Sequence, residues 1–326
     1  MAEEDNKRLY PFKFVPQEEK TSWGIVRYLL ADLGYKDSVI GNGWFGGNTV
    51  SELMGTYLER VVGDDVFEYY GLQFPVMVKT IEVERRTPLL VNAGDDVAAQ
   101  RYDAFGKTAV WYVRKAERGA GIFLGFNREV PAEEFYRRCR DGSLEEVLHV
   151  VEPREGEAVL LRPGTVYAAT GRMSLVEVAE TSELAFSLHG WGEELSGPEE
   201  NLLEEAFDLI DFHEYKTGKK EGPARQIAAE PEFTVTKVVL AEPLKVDNSR
   251  PGSFTVYHCL SGAASLQVPS GPEPAAPTEQ EALKAGQTLL VPAELETFYL
   301  VPLDRGTELL DITVGKRSVP DSYLDK

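Results

Sequence analysis

Histidine and cysteine are scarce in this 326-residue chain: there are four of the first and two of the second. His149, His189, His213 and His258 lie far apart, so no closely spaced pair offers the ligand pattern of a zinc motif. Each reads as a structural or exposed histidine. Cys139 and Cys259 are equally isolated, which excludes a disulfide framework and fits two idle thiols in a reducing compartment. Basic residues are also few, 34 Lys and Arg against 54 Asp and Glu, for a net charge of −20. Phosphate backbones are bound by clustered cations, so the expectation is a protein with no nucleic-acid partner. The same charge argues against an anionic membrane surface, and no apolar run is long enough for a spanning helix. The opening Met-Ala-Glu-Glu-Asp-Asn lacks the basic and apolar regions of a secretion signal, so a cytoplasmic location is expected. Gly41–Gly47 is glycine-rich but carries neither Gly-Lys-Ser/Thr nor a strand–GxGxxG–helix setting, which argues against a phosphate cradle.

What the chain does have is short β-prone runs punctuated by Gly, Pro and Asp. Phe74–Glu84, Leu89–Asn92, Ala109–Lys115, Gly121–Gly125, Leu175–Val178 and Leu184–Leu188 read as strands. The central hairpin is Pro153–Gly171, where Gly156 and Pro163-Gly164 mark turns around the apolar run Ala158–Leu161. Such a hairpin is one wall of a small jelly roll. Ala285–Pro292 repeats the glycine–strand–proline pattern, which suggests a second unit of the same architecture. Helices are expected over about Trp23–Leu33, from Pro131 to a stop at Gly142, and over Ser196–Phe212; Thr49 is a candidate cap for a short helix. Residues 216–231 look like a linker, and 269–277 form a Pro-rich tip. The expected fold is all-β, two jelly-roll β-barrels with helical decoration near the N-terminus and between the barrels. The first barrel would span 1–230 and the smaller second one 231–326.

Several pieces, in order, resemble the bacterial class I (cupin-type) mannose-6-phosphate isomerase family, whose members are double cupins. They are Pro11-Phe-Lys-Phe14, Trp23-Gly24, Ser51-Glu-Leu53, Phe74–Lys79, Gly106-Lys-Thr108 with Trp111-Tyr112, Glu133-Glu-Phe135, Pro163-Gly-Thr165 and Leu202–Phe212. The resemblance implies a zinc site built from a Gln-x-His-Pro run, a Glu after Gly-Lys-Thr and a His after Gly-Thr-x. At the matching positions this chain has Val91 for Gln, Ala93 for His, Ala109 for Glu and Tyr167 for the second His. Ser187 falls near the place of the family's arginine. Aliphatic side chains have no donor atoms, so the expectation is no metal, no family zinc and no catalytic residue of the family kind. Asn92, Asp95, Asp96 and Glu177 are an alternative oxygen set for a hard cation, against a plain solvated turn at Asp95-Asp96.

Lys79, Lys107, Thr108 and Glu177 survive from the family pattern, and either meet a sugar or phosphate oxygen or hold barrel hydrogen bonds. With Val91, Ala93, Ala109, Tyr167 and Ser187 they make up the candidate ligand pocket; Tyr167, with Trp111 or Tyr112, is a stacking wall or simply core. Three functions follow from the resemblance. One is a catalytically lapsed, mannose-6-phosphate isomerase-like cupin of carbohydrate metabolism that binds a sugar, sugar phosphate or similar small ligand without metal. The others are an active aldose–ketose isomerase with a remodelled site, and a structural or regulatory interaction protein with a filled cavity. The enzyme question stays open here, leaning toward a pseudoenzyme.

Overall fold

The turns at Gly156 and Gly164 form as their residues dictate, but the expected hairpin does not, because the strands on either side of Gly164 pair with other partners. Both glycines adopt positive φ, +84° and +82°, which a residue with a β-carbon resists. The flanking strands are Ala158–Leu161 and Val166–Thr170. They join different sheets of the same unit. Val166–Thr170 sits inside a five-stranded sheet with the order 148–151, 121–126, 166–170, 89–92, 185–189. Ala158–Leu161 edges a second sheet, pairing with Ala109–Ala116, which in turn pairs with Met173–Glu180. The structure is a computed structural model that describes residues 7–192, 202–216, 225–249, 252–269 and 278–317.

Two compact units make up the chain. One contains residues 18–27 and 79–221, and the other 1–17, 28–78 and 222–326. The second unit is also antiparallel β. Its seven-stranded sheet has the order 226–229, 234–240, 307–313, 255–261, 288–291, 12–15, 39–40, and its four-stranded sheet the order 244–247, 297–302, 263–269, 278–284. The N-terminal residues therefore do not all belong with the first barrel. Phe12 pairs with Leu290 and Phe14 with Ile40, so this segment completes the sheet of the C-terminal unit. Leu266, Leu289, Phe298 and Leu300 are core residues between that unit's strands.

Local expectations meet mixed outcomes. Trp23–Leu33 is no helix: Gly24–Leu30 is a strand, its Ile, Val and Tyr suited to a pleated and largely buried surface. Thr49 caps the helix Val50–Tyr57 in a reciprocal box, its hydroxyl accepting from the Glu52 N–H while the Glu52 carboxylate accepts from the Thr49 N–H at 2.9 Å. Ala132–Asp141 is a helix that ends at Gly142 in a left-handed conformation. Asp95 and Asp96 open the helix Asp95–Tyr102 rather than a turn, where acidic side chains suit the N-terminal dipole. Of the helix expected over 196–212, only Leu203–Ala206 is α-helical and Phe207–Leu209 follows as a 3-10 turn. The earlier part of that span lies outside the described residues, as do most of the Pro-rich tip and residues 217–224 of the expected linker. Among the described residues no helix is long and apolar enough to cross a membrane.

Candidate functional site

Strand periodicity decides which candidate residues meet. Successive side chains of a strand point to opposite faces. On Leu89–Asn92 the odd positions Leu89 and Val91, followed by Ala93, join an apolar core with Phe123, Phe126 and Phe135. The expected ligand-pocket positions Val91 and Ala93 therefore face away from the interior, into the layer beneath the helix Ala132–Asp141. Asn92 takes the inward place instead and is fully buried. The Tyr167 phenol donates a 2.8 Å hydrogen bond to its amide oxygen. The Asn92 Nδ2 donor has no hydrogen-bond partner among the described residues. Matching Val91 and Ala93 to the family's Gln and His is thus one residue out of step with the inward pair Leu90 and Asn92, and a one-residue step exchanges the two faces of a strand.

On the opposing sheet, Trp111 and Glu177 are cross-strand partners. The Trp111 indole N–H donates to Glu177 Oε2 at 2.6 Å. Glu177 Oε1 lies 2.9 Å from Lys79 Nζ and 3.8 Å from Lys107 Nζ. The Trp111 ring meets that of Tyr167 edge to face, with centroids 5.3 Å apart. Lys79, Asn92, Lys107, Trp111, Tyr167 and Glu177 thus form one inner cluster, and the side chains of its two lysines and its carboxylate are only 12%, 7% and 4% exposed. Ala109 shares the inward face with Trp111, two residues along the strand. Ser187 is buried opposite Leu90 in the five-stranded sheet. Thr108 alternates away from Lys107 and Ala109, and its backbone N–H is held by the Glu180 carboxylate at 2.8 Å.

The electrostatics follow from burial and pairing. Burial pushes the Glu177 carboxyl up, but Lys79, Lys107 and the Trp111 N–H outweigh it and hold it at about 2. Burial and the neighbouring Lys79 charge lower Lys107 to about 8, against the opposing pull of Glu177 and Glu183. Burial, with the nearby Glu177 charge, raises the Tyr167 phenol well above its ordinary value. The buried part of the cluster therefore sets two lysine side chains against one carboxylate.

The survivors Lys79, Lys107 and Glu177 were legible in the sequence, and they meet. The pairing of Trp111 with Glu177 and of Tyr167 with Asn92 was not, because it depends on register. The Asn-for-Ala exchange was signalled only by parity: Leu90 and Asn92, not Val91 and Ala93, share a face.

No family model matches the chain. A mannose-6-phosphate isomerase from Streptococcus mutans serotype c (strain ATCC 700610 / UA159) is 21% identical over 269 residues, covering 80% of both proteins. The crystal structure of the mannose 6-phosphate isomerase from Bacillus subtilis superposes with a TM-score of 0.78 at 18% identity, covering 93% of this chain and 99% of that one. A zinc-bound holo mannose 6-phosphate isomerase superposes with a TM-score of 0.72 at 12% identity, covering 95% of this chain and 100% of the other. That last likeness corrects the expectation that zinc has no place here, because a protein of this fold holds the metal. In the inner cluster as it stands, Lys79 and Lys107 hold the Glu177 oxygen that a Zn²⁺ would need, and the remaining donors are one amide and one phenol. This donor set does not fit zinc, and no chemical step is drawn through it. Sheet topology and the solved structures agree on the fold, which is that of the mannose-6-phosphate isomerases to which this chain is similar.

Proposed function

We propose that this chain binds a sugar, sugar phosphate or similar small ligand through its inner cluster and has lapsed as an aldose–ketose isomerase. The observation that carries this reading is the charge imbalance: two ammonium groups converge on one buried carboxylate. A phosphoryl group at Lys107 and Lys79 would balance the excess cation, and a ligand oxygen would satisfy the buried Asn92 amide N–H. Isomerisation moves a proton between C1 and C2 and needs a base poised near the working pH. Glu177, held at about 2, is too weak a base for that task. Tyr167, raised by burial, is too weak an acid.

A second reading, an active isomerase with a remodelled site, draws on Lys107, which at about 8 is the one inner group poised near neutrality. A third, the filled cavity, draws on the Trp111–Tyr167 ring contact inside the barrel. One experiment separates the three. Calorimetric titration with mannose 6-phosphate, run on wild type and Lys107→Met, is paired with an isomerase assay with and without added zinc. Binding lost in the variant, with no turnover in either protein, supports the proposal. Turnover that disappears in Lys107→Met moves the assignment to the active reading. Wild type that neither binds nor turns over leaves the filled cavity.

A further inference from the structure

Beyond the end of the strand that carries Lys79, in the same unit, a separate pocket of about 140 Å³ is lined by Ser22, Trp23, Arg85, Arg86, Pro88 and Trp191 among others. Two indoles and two guanidiniums meet there, in a chain whose net charge is −20. The two arginines differ. Arg86 is committed: its guanidinium lies 4.7 Å over the Trp191 ring and 5.5 Å over Phe123, its Nε–H donates to the Thr170 hydroxyl, and its two terminal nitrogens fork onto the Glu145 carboxylate. Arg85 is exposed and makes no side-chain hydrogen bond or ion pair among the described residues.

Trp191 is held firmly. Its indole N–H donates to the Thr87 carbonyl at 2.8 Å, and His189 packs edge-on against its ring with centroids 5.1 Å apart. Its backbone sits at φ +58°, a region that disfavours any residue with a β-carbon. A bulky indole is thus fixed in a conformation that glycine would adopt freely, against a pocket whose other cation has no partner.

We propose that this pocket is a second ligand site, distinct from the inner cluster, for an oxyanion carried on a ring with an apolar face. Arg85 would take the phosphoryl or carboxylate group by charge-assisted hydrogen bonds, and the indoles of Trp23 and Trp191 would take the ring. The shared chemistry can come from a phosphorylated saccharide or from an aromatic phosphate, and the experiment separates the two.

The test follows the indole N–H resonances of the full-length, ¹⁵N-labelled protein during titration. The probes are glucose 6-phosphate, phenyl phosphate, inorganic phosphate and phenol. Saturable shifts of the Trp23 and Trp191 signals by one or both ring-bearing anions are expected, independent of any shift of the Trp111 signal, which reports the inner cluster; whichever probe saturates first identifies the source. Arg85→Gln, an exposed substitution that leaves the fold intact, weakens that binding about tenfold or more, as loss of a charged hydrogen bond requires. Lys107→Met leaves these shifts unchanged, which separates this pocket from the inner cluster. Absence of any shift overturns the proposal. So does binding that Arg85→Gln does not weaken, inorganic phosphate binding as tightly as the ring-bearing anions, or phenol binding as tightly as phenyl phosphate.

Discussion

The interiors of the two units are built from similar antiparallel sheets yet hold different chemistry. In the C-terminal unit Leu266, Leu289, Phe298 and Leu300 pack an apolar core, fully or nearly fully buried, beside buried polar side chains such as His258 and Thr288. In the other unit the corresponding space holds Lys79, Lys107, Glu177 and Asn92 among its aromatic rings. An apolar interior draws its stability from dispersion and transfer out of water, and tolerates small losses gradually. A buried ionic cluster is all-or-none, because each charge depends on its partners to offset desolvation. The same architecture thus serves as a plain scaffold in one unit and as a charged container in the other.

That contrast can be broken most severely at Glu177. Glu177→Ala leaves the buried Lys79 and Lys107 with only the more distant pull of Glu183 and should destabilise the protein by about 3–5 kcal/mol, read as a fall in the midpoint of chemical denaturation. If the loss is under about 1 kcal/mol, the cluster is not the electrostatic unit described here. In the apolar unit, Leu266→Ala should cost about 3 kcal/mol through lost transfer energy and the cavity left behind. Neither loss should change much with salt, since a buried ion cluster is screened far less than an exposed one. Tyr167→Phe removes the donor to Asn92 and leaves a buried amide oxygen unpaired, at about 1–2 kcal/mol by the same denaturation measurement.

A pH dependence is expected as well. Lys107 is lowered in the folded state, so between about 8 and its ordinary value near 10.5 the unfolded chain binds more protons. The cost of its charge is present in full below pH 8, and stability contributed at this site rises as pH climbs from 8 toward 10.5. Glu177 works in the opposite range: its contribution is complete above its ordinary value near 4.5 and is lost as pH falls toward 2. Lys107→Met should abolish the alkaline rise and shrink the acid limb, which Lys79 and the Trp111 N–H alone would then hold, as melting temperatures across the pH range would report.

Much of this was legible from residue types alone. Glycine and proline placed the turns of 153–171 and their echo at 285–292, because those residues favour turn conformations, but not the pairing of the strands between them. Lys79, Lys107 and Glu177 stood out as the polar survivors of a largely aliphatic set. Three things were not legible. Gly24–Leu30 shows apolar residues at spacings that suit helix and strand alike, and only its pairing decides between them. The facing of Val91, Asn92 and Ala93 depends on which strand lies opposite and in what register, information carried by residues 75 positions away at Tyr167. Membership of the C-terminal sheet by Phe12 and Phe14 was hidden for the same reason, since their partners include Leu290.

The two-faced strand at Leu89–Asn92 also limits how this protein can change over evolutionary time. Inserting or deleting one residue between Lys79 and Leu89 would rotate the whole strand, carrying the Asn92 amide into the layer beneath Phe135 and delivering Val91 and Ala93 to the lysines. Point substitutions can alter the container or the layer behind it one position at a time. A single-residue length change trades both at once, so lineages of this chain should diverge in residue identity here long before they diverge in loop length.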